Sequence, residues 1–261
     1  MSCSFWLPVM TLWKREILRF IRQRSRLIGA FVQPLAFWLL LGGGFSASFR
    51  PPGTPGGTGY LEYFYPGIIL LALLFTAIFA TIAVVEDRKT GFLQGVLVAP
   101  VPRMSVVLGQ ALGSSTLAVL QGTLLLLLAP VAGLSLSITA GVAAIGVMFL
   151  VALALSSLGL IIAWRMDSVQ GFHAVMNLIL MPIWFLSGAF FPAAGLPGWF
   201  SWIMQLNPLT YGMAALRRCL YFQTPTAIGQ VPALAPSLVI TIAFAIGSFL
   251  LASYSARRHF Q

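Results

Sequence analysis

Carboxylates are scarce in this chain of 261 residues: Glu16, Glu62, Glu86, Asp87 and Asp167 are the whole acidic complement. All five fall at the ends of apolar runs or in the polar stretches between them. Burying an ionisable group in hydrocarbon is costly, so proton relays and ion-coupled carriers mark themselves by acids inside their spans. That mark is missing here, which weakens an ion-coupled secondary transporter of a small apolar solute, the competing reading from another class. Membrane transferases that handle phosphates need several acids to hold a metal, and this chain lacks them. Cys3 and Cys219 are too few for a disulfide framework, and no CxxC or Cys/His cluster suggests a metal. No GxxxxGK[ST] phosphate loop occurs either, so any nucleotide energy comes from a partner and no cofactor is expected in this chain.

Nucleophilic catalysis is also disfavoured. Ser187-Gly188 and His173 invite comparison with an intramembrane serine protease. The two residues lie 14 positions apart on one expected helix, roughly 21 Å along its axis and far outside hydrogen-bond reach. Phe185 stands where such a site needs a glycine. No enzymatic function is expected.

What the chain has in abundance is apolar residues: 59% are hydrophobic and 8% charged, with a mean hydropathy of +0.95. Soluble domains carry about a quarter charged residues. Repeated apolar runs are each long enough to cross roughly 30 Å of hydrocarbon as a helix. Backbone groups cannot go unpaired in lipid, and the runs are too long and even for barrel strands. The expected fold is an all-α integral membrane bundle of about six transmembrane helices, forming one permease-like domain over residues 1–261.

Residues 5–26 place Arg15, Arg19, Arg22 and Arg26 along one helical face, with Trp13, Ile17 and Phe20 turned away, the pattern of an interfacial helix. A cleaved signal peptide is the rival reading, because Phe45-Ser46-Ala47 follows an apolar run, but the preceding segment is far longer than a usual n-region. Spans are expected at about 27–45, 64–85, 105–129, 139–164, 171–191 and 235–254. Pro34 is placed to bend the first, and Gly42-Gly43-Gly44 to loosen its far end. Residues 46–60 read as a flexible loop. Residues 192–234 are too broken by Pro and Gly to span. In the third span, Gly109 and Gly113 form a GxxxG pattern that permits close helix contact.

The formal charge is +10, but the basic residues lie between hydrophobic runs, where they set topology and do not point to nucleic acid. One side of the six-span arrangement holds Lys14, Arg15, Arg19, Arg22, Arg24, Arg26, Arg88, Lys89, Arg103, Arg165, Arg257 and Arg258; the other holds Arg50, Arg217 and Arg218. This imbalance places both termini in the cytoplasm.

The stretch Glu86-Asp87-Arg88-Lys89-Thr90-Gly91-Phe92-Leu93-Gln94-Gly95-Val96-Leu97-Val98-Ala99-Pro100, followed by Arg103, reads as a surface helix from about 87 to 100, started by charge and stopped by Pro100 and Pro102. Here the chain resembles the type-2 family of ATP-binding cassette (ABC) exporter permeases, whose equivalent loop reads Glu, Arg, Gly, an apolar helix, then Leu-x-x-Pro and Arg. A second match stands in FLSGAFFPAAGLPGWFSWIMQLNPLTYGMAALR, from Phe185 to Arg217. The likeness extends over almost the whole chain in length, span number and order.

The resemblance implies two permease chains, a homodimer in the simplest case, working with two separately encoded ATPase subunits that hold ATP and Mg. It implies that residues 86–103 are a cytoplasmic coupling loop, with Glu86, Arg88, Lys89, Gly91, Phe92, Leu93, Leu97, Pro100 and Arg103 against the ATPase. It also implies an extracellular re-entrant segment over 192–234, with Ser187, Gly188, Phe191, Pro192, Trp199, Asn207, Pro208 and Tyr211 near the exit. Asn207-Pro208 has a local reason as well, since Asn caps helices and Pro suits a first turn. Trp199, Phe200, Trp202 and Ile203 suit the outer interface. Export is implied over import, because the Glu-Ala-Ala-x3-Gly loop of importer permeases is absent. Cargo is expected to be hydrophobic or amphipathic, as in drug efflux and multidrug export, or lipid-like. Lipid-linked glycans stay open, because Phe37, Trp38, Phe75, Phe79, Trp184 and Phe185 can stack on sugars or simply pack against lipid. The expected setting is a bacterial-type cytoplasmic (inner) membrane, with membrane lipid as a further partner.

Overall fold

The computed structural model describes residues 5–46, 59–99, 101–193, 196–222 and 231–258. These form α1 (Trp6–Arg22), α2 (Arg24–Phe37), a π turn (Trp38–Gly42), α3 (Gly43–Ser46), α4 (Tyr60–Ala80), α5 (Ile82–Lys89), α6 (Phe92–Val98), α7 (Arg103–Leu126), a 3-10 turn (Ala129–Ala132), α8 (Ile138–Ala163), α9 (Val169–Phe185), α10 (Gly198–Leu206), α11 (Pro208–Leu220) and α12 (Leu234–Arg258). Among the described residues there is no strand.

Five stretches are long and apolar enough to cross a membrane: Ile28–Phe45, Tyr60–Lys89, Arg103–Leu126, Ile138–Ala163 and Leu234–Arg257. The expected fifth span, α9, is a shorter apolar helix of 17 residues. It still runs the length of the bundle. Its N-terminal end follows Asp167, which pairs with Arg88, and near its C-terminal end Trp184 Nε1 donates to the carbonyl of Gly67. Gly67 and Arg88 lie at opposite ends of the Tyr60–Lys89 helix, about 30 Å apart at 1.5 Å per residue.

The Tyr60–Lys89 helix is the centre of the bundle, with 89% of its most apolar window buried. It packs against α7, α8, α2, α9 and α11, while α12 closes over α8 and α11. Burial falls to 17% for Ile28–Phe45 and 22% for Leu234–Arg257. Those two outer helices keep most of their apolar surface for lipid or another chain, a disposition open to them only in an apolar solvent.

The bundle has two chemically different ends. Arg15, Arg19, Glu86, Asp87, Arg88 and Asp167 meet at one, and Arg103 Nη1 reaches the Arg257 carbonyl at 3.5 Å there. At the other, Tyr60, Tyr63, Phe64, Trp184 and Phe190 form an aromatic layer. The lopsided charge in the sequence is thus a property of the two ends of one bundle.

Pro34 sits inside α2 and the chain passes into the π turn four residues later. Proline has no N–H, so the Ala30 carbonyl loses its helical donor. Gln121 of α7 replaces it, donating Nε2 to the Ala30 carbonyl while its Oε1 accepts the Thr76 hydroxyl. One buried amide therefore ties α2, α4 and α7 together, and the bend foreseen at Pro34 has its compensation built into a neighbouring helix.

Candidate functional site

The polar end is organised around the break between α5 and α6. A helix starting near residue 87 does not occur: Glu86 to Lys89 belong to α5, and the surface helix is the shorter α6, Phe92–Val98. The reason is Gly91, whose φ of 77° lies in the left-handed region that L side chains rarely adopt. It ends α5 in the manner of a helix C-terminal glycine and turns the chain.

Leu93 anchors α6 by burying its side chain, whereas Phe92 and Val98 face outward, Val98 being 86% exposed. Lys89, Gln94 and Gly95 are exposed as well. Leu97 lies within α6, and Pro100 lies outside the described residues.

Several charges expected to meet a partner are engaged within the chain. Arg88 donates Nη1 to Asp167 Oδ1 at 3.1 Å and Nη2 to the Trp164 carbonyl at 2.5 Å, fastening α5 to the α8–α9 corner. Glu86 is paired with Arg19. Asp87, 2% exposed, accepts both Arg15 nitrogens at 2.6 Å and Arg19 Nη1 at 3.2 Å. Hydrogen bonding to Asp87 holds the Arg15 guanidinium above its ordinary pKa, against the lowering effect of burial. The same guanidinium lies 3.9 Å from the centre of the Phe92 ring, a cation–π contact onto the first residue of α6.

Helix α1 is therefore part of this site, and its docking explains the GxxxG pattern. Val9, Leu12, Glu16 and Phe20 are buried as α1 packs along α7. A Cβ on Gly109 would lie 2.9 Å from the Val9 carbonyl oxygen, and one on Gly113 would lie 2.8 Å from Glu16 Cβ. Only hydrogen at those two positions admits the approach. Trp13 Nε1 completes the contact with a 3.0 Å bond to Thr116 Oγ1. The sequence carried the GxxxG signal but not the identity of the partner helix. Arg15 and Arg19 read there only as topology-setting charge.

At the aromatic end, Asn207 and Pro208 open α11 as their residue types dictate. Asn207 Oδ1 accepts the Leu209 N–H at 3.0 Å and Pro208 occupies the first turn. Asn207 Nδ2 donates to the Ile183 carbonyl at 2.7 Å, and Thr210 Oγ1 to the Leu186 carbonyl at 3.2 Å. The Asn-Pro-Leu-Thr turn thus covers carbonyls left open where α9 ends. Ser187 is buried and donates to the Trp184 carbonyl at 2.6 Å. Gly188 has a φ of 78°, and its carbonyl accepts Tyr63 OH at 3.2 Å and Arg217 Nη2 at 3.3 Å. Phe191 packs on Phe200, Pro192 is half-buried, and Tyr211 OH bonds the Gln205 carbonyl at 3.0 Å. Trp199 and Trp202 of α10 are exposed.

Arg217 was read from the sequence as an external loop charge. It is only 3% exposed, stacked 4.2 Å from the Tyr63 ring centre. Burial also pushes the nearby Cys219 thiol and Tyr221 hydroxyl above their ordinary pKa values. Trp38 and Trp184 are core residues, while Phe75 and Phe79 stack on each other at 5.3 Å and border a cavity of 130 Å³ with Thr76 and Pro34. His173 lies 5.0 Å from the Phe79 ring. Among the described residues no group of three or more His, Cys, Asp or Glu could hold a metal ion.

Comparison with known proteins places this architecture. A family model described as ABC-2 type transporter matches residues 8–221. Transport permease ycf38 of Cyanophora paradoxa is 28% identical over 219 residues, covering 83% of this chain and 75% of the relative. Nodulation protein J of Rhizobium meliloti (strain 1021) is 28% identical over 217 residues, covering 81% and 79%. Transport permease ycf38 of Porphyra purpurea is 26% identical over 211 residues, covering 80% and 72%.

Proposed function

Because the chain belongs to the ABC-2 type transporter family, we propose that this multi-pass membrane permease is the transport subunit of an ATP-driven exporter whose ATPase is a separate polypeptide. In this reading two permease chains, in the simplest case identical, meet along the sparsely buried outer helices. Two ATP-binding cassette subunits hold ATP and Mg and perform the hydrolysis. The polar end faces the cytoplasm of a bacterial-type inner membrane, as the lopsided Lys and Arg distribution favours.

The observation that carries the reading is α6. It is anchored by Leu93, yet turns Phe92 and Val98 outward into what would otherwise be water. Exposed apolar residues on a short rigid helix, ringed by Lys89 and Gln94, have the composition of an interface core with a polar rim. A push on α6 would pass through Gly91 to the end of the central helix. From there Arg88 leads to α8 and α9, and Asp87 and Glu86 lead to α1. Closure of the ATPase subunits would so move helices on opposite flanks of the bundle together.

The cargo in this reading is hydrophobic or amphipathic, a drug, a lipid-like molecule or a lipid-linked glycan. Support comes from the apolar character of the spans and from partly exposed aromatics such as Phe185 at the end of α9. Helix α10, with Trp199 and Trp202 turned outward, suits the outer interface beside the exit.

The test is co-purification and transport with the cognate ATPase in the presence of Val98→Asp or Lys89→Glu, with Arg50→Glu as control. Arg88 is avoided, because its reversal would break the bonds to Trp164 and Asp167. Both variants should weaken association by about tenfold, the effect of about 1.4 kcal/mol, and uncouple hydrolysis from transport. Dissipating the proton gradient with ATP maintained should leave transport intact. Unchanged association and transport in both variants, or arrest on loss of the gradient, would overturn the reading.

A further inference from the structure

Three stripes run along α1. One, Val9, Leu12, Glu16 and Phe20, is buried against α7. A second is apolar and open: Leu7, Met10, Leu18 and Ile21 are all exposed. The third is polar, with Thr11, Arg15, Arg19 and Arg22 at helical spacing. Lys14 falls on the seam between the open apolar stripe and the polar one.

Beside the polar stripe lies a cleft of about 620 Å³, lined by Thr11, Lys14, Arg15, Arg19, Arg22 and Asp87, among others. Arg15 and Arg19 are neutralised by Asp87, Glu86 and Glu16. Lys14 and Arg22 are exposed and carry no ion pair among the described residues. Two cations are therefore left over in a concave site whose flank is hydrocarbon-seeking.

We propose that this cleft binds the phosphate of an anionic phospholipid, with Lys14 and Arg22 on the phosphate, Thr11 on a glycerol or headgroup oxygen, and the acyl chains along Leu18, Ile21 and Met10. The occupant follows from the adjacency. A free anion would satisfy the cations and leave the apolar stripe uncovered. An acidic protein surface would have to dehydrate its own charges against that stripe. A phospholipid covers both, its phosphate held by charge and its chains by apolar contact. The bound lipid would also sit next to the Arg15–Asp87 contact, so that lipid charge bears on the joint between α1 and α6. The proposal rests on membrane integration and on α1, not on the exporter reading.

The test uses the purified full chain in detergent, titrated with phosphatidylglycerol or phosphatidylcholine and read by native mass spectrometry. Phosphatidylglycerol should be retained preferentially. Lys14→Gln with Arg22→Gln should weaken its retention by about thirtyfold, on the scale of two basic contacts to an anionic membrane surface. The exchange Lys14→Arg with Arg22→Lys should restore it, and Lys89→Gln, an exposed cation at the same end but outside the cleft, should have no effect. The four altered side chains are exposed and unpaired, so melting temperature should stay unchanged. Equal retention in the Gln double variant would overturn the proposal. So would displacement of the lipid by inorganic phosphate at comparable concentration, which would make the site one for a free anion. Displacement by the ATPase subunit would assign the cleft to a protein surface instead.

Discussion

Arg15 and Asp87, 72 positions apart, are joined by two hydrogen bonds of 2.6 Å that run from both guanidinium nitrogens to both carboxylate oxygens. This parallel pairing is the strong, directional form of an ion pair. It brings the amphipathic first helix onto the end of the central helix, directly beside α6. A residue that otherwise only biases topology thereby becomes a structural tie.

The tie is measurable by a double-mutant cycle. Arg15→Gln and Asp87→Asn each leave a buried or half-buried partner without its bonds. The two losses should be non-additive, with a coupling of about 1–3 kcal/mol in detergent unfolding. Because Arg19 also reaches Asp87, Asp87→Asn should be the more damaging single change. Strict additivity would mean that α1 docks through its apolar face and the Gly109–Gly113 approach alone.

A second cycle concerns Gln121 and Pro34. Replacing Gln121 by Leu strips the Ala30 carbonyl and the Thr76 hydroxyl of their partner, at about 1–3 kcal/mol of stability. Pro34→Ala returns an N–H that can reach the Ala30 carbonyl within the helix. In that background Gln121→Leu should cost distinctly less. Equal cost in both backgrounds would show that the amide serves Thr76 and not the proline-broken turn.

Topology reporters test the orientation of the whole bundle. Fusions after Lys89 and after Gln261 should report a cytoplasmic position, and one at Gly56 an external position. An external Lys89 fusion is incompatible with the arrangement, since Lys89 closes the helix whose last turn carries the Arg15 and Arg88 contacts.

The helical class and most of the span positions were legible in the sequence, because an apolar run longer than the bilayer is wide has only one way to satisfy its backbone. Asn207-Pro208 was legible for a similar reason: cap chemistry acts over two or three residues. The boundary of α6 was not, since nothing in the run from Glu86 to Pro100 says which residue breaks the helix until the backbone shows Gly91 at positive φ.

What the sequence by itself determined is everything that follows from composition and short-range periodicity: membrane residence, the number of apolar helices, the unequal charge of the two ends, and the caps. Only the tertiary structure decided which helix meets Gly109 and Gly113, that Arg15 and Arg19 serve Asp87 and Glu86, that Gln121 mends the break at Pro34, and that Arg217 is buried on Tyr63. Each of these joins residues 46 to 154 positions apart. Hydrophobic periodicity is written locally along a chain, whereas the pairing of a buried polar group depends on which neighbour the packed bundle brings to it.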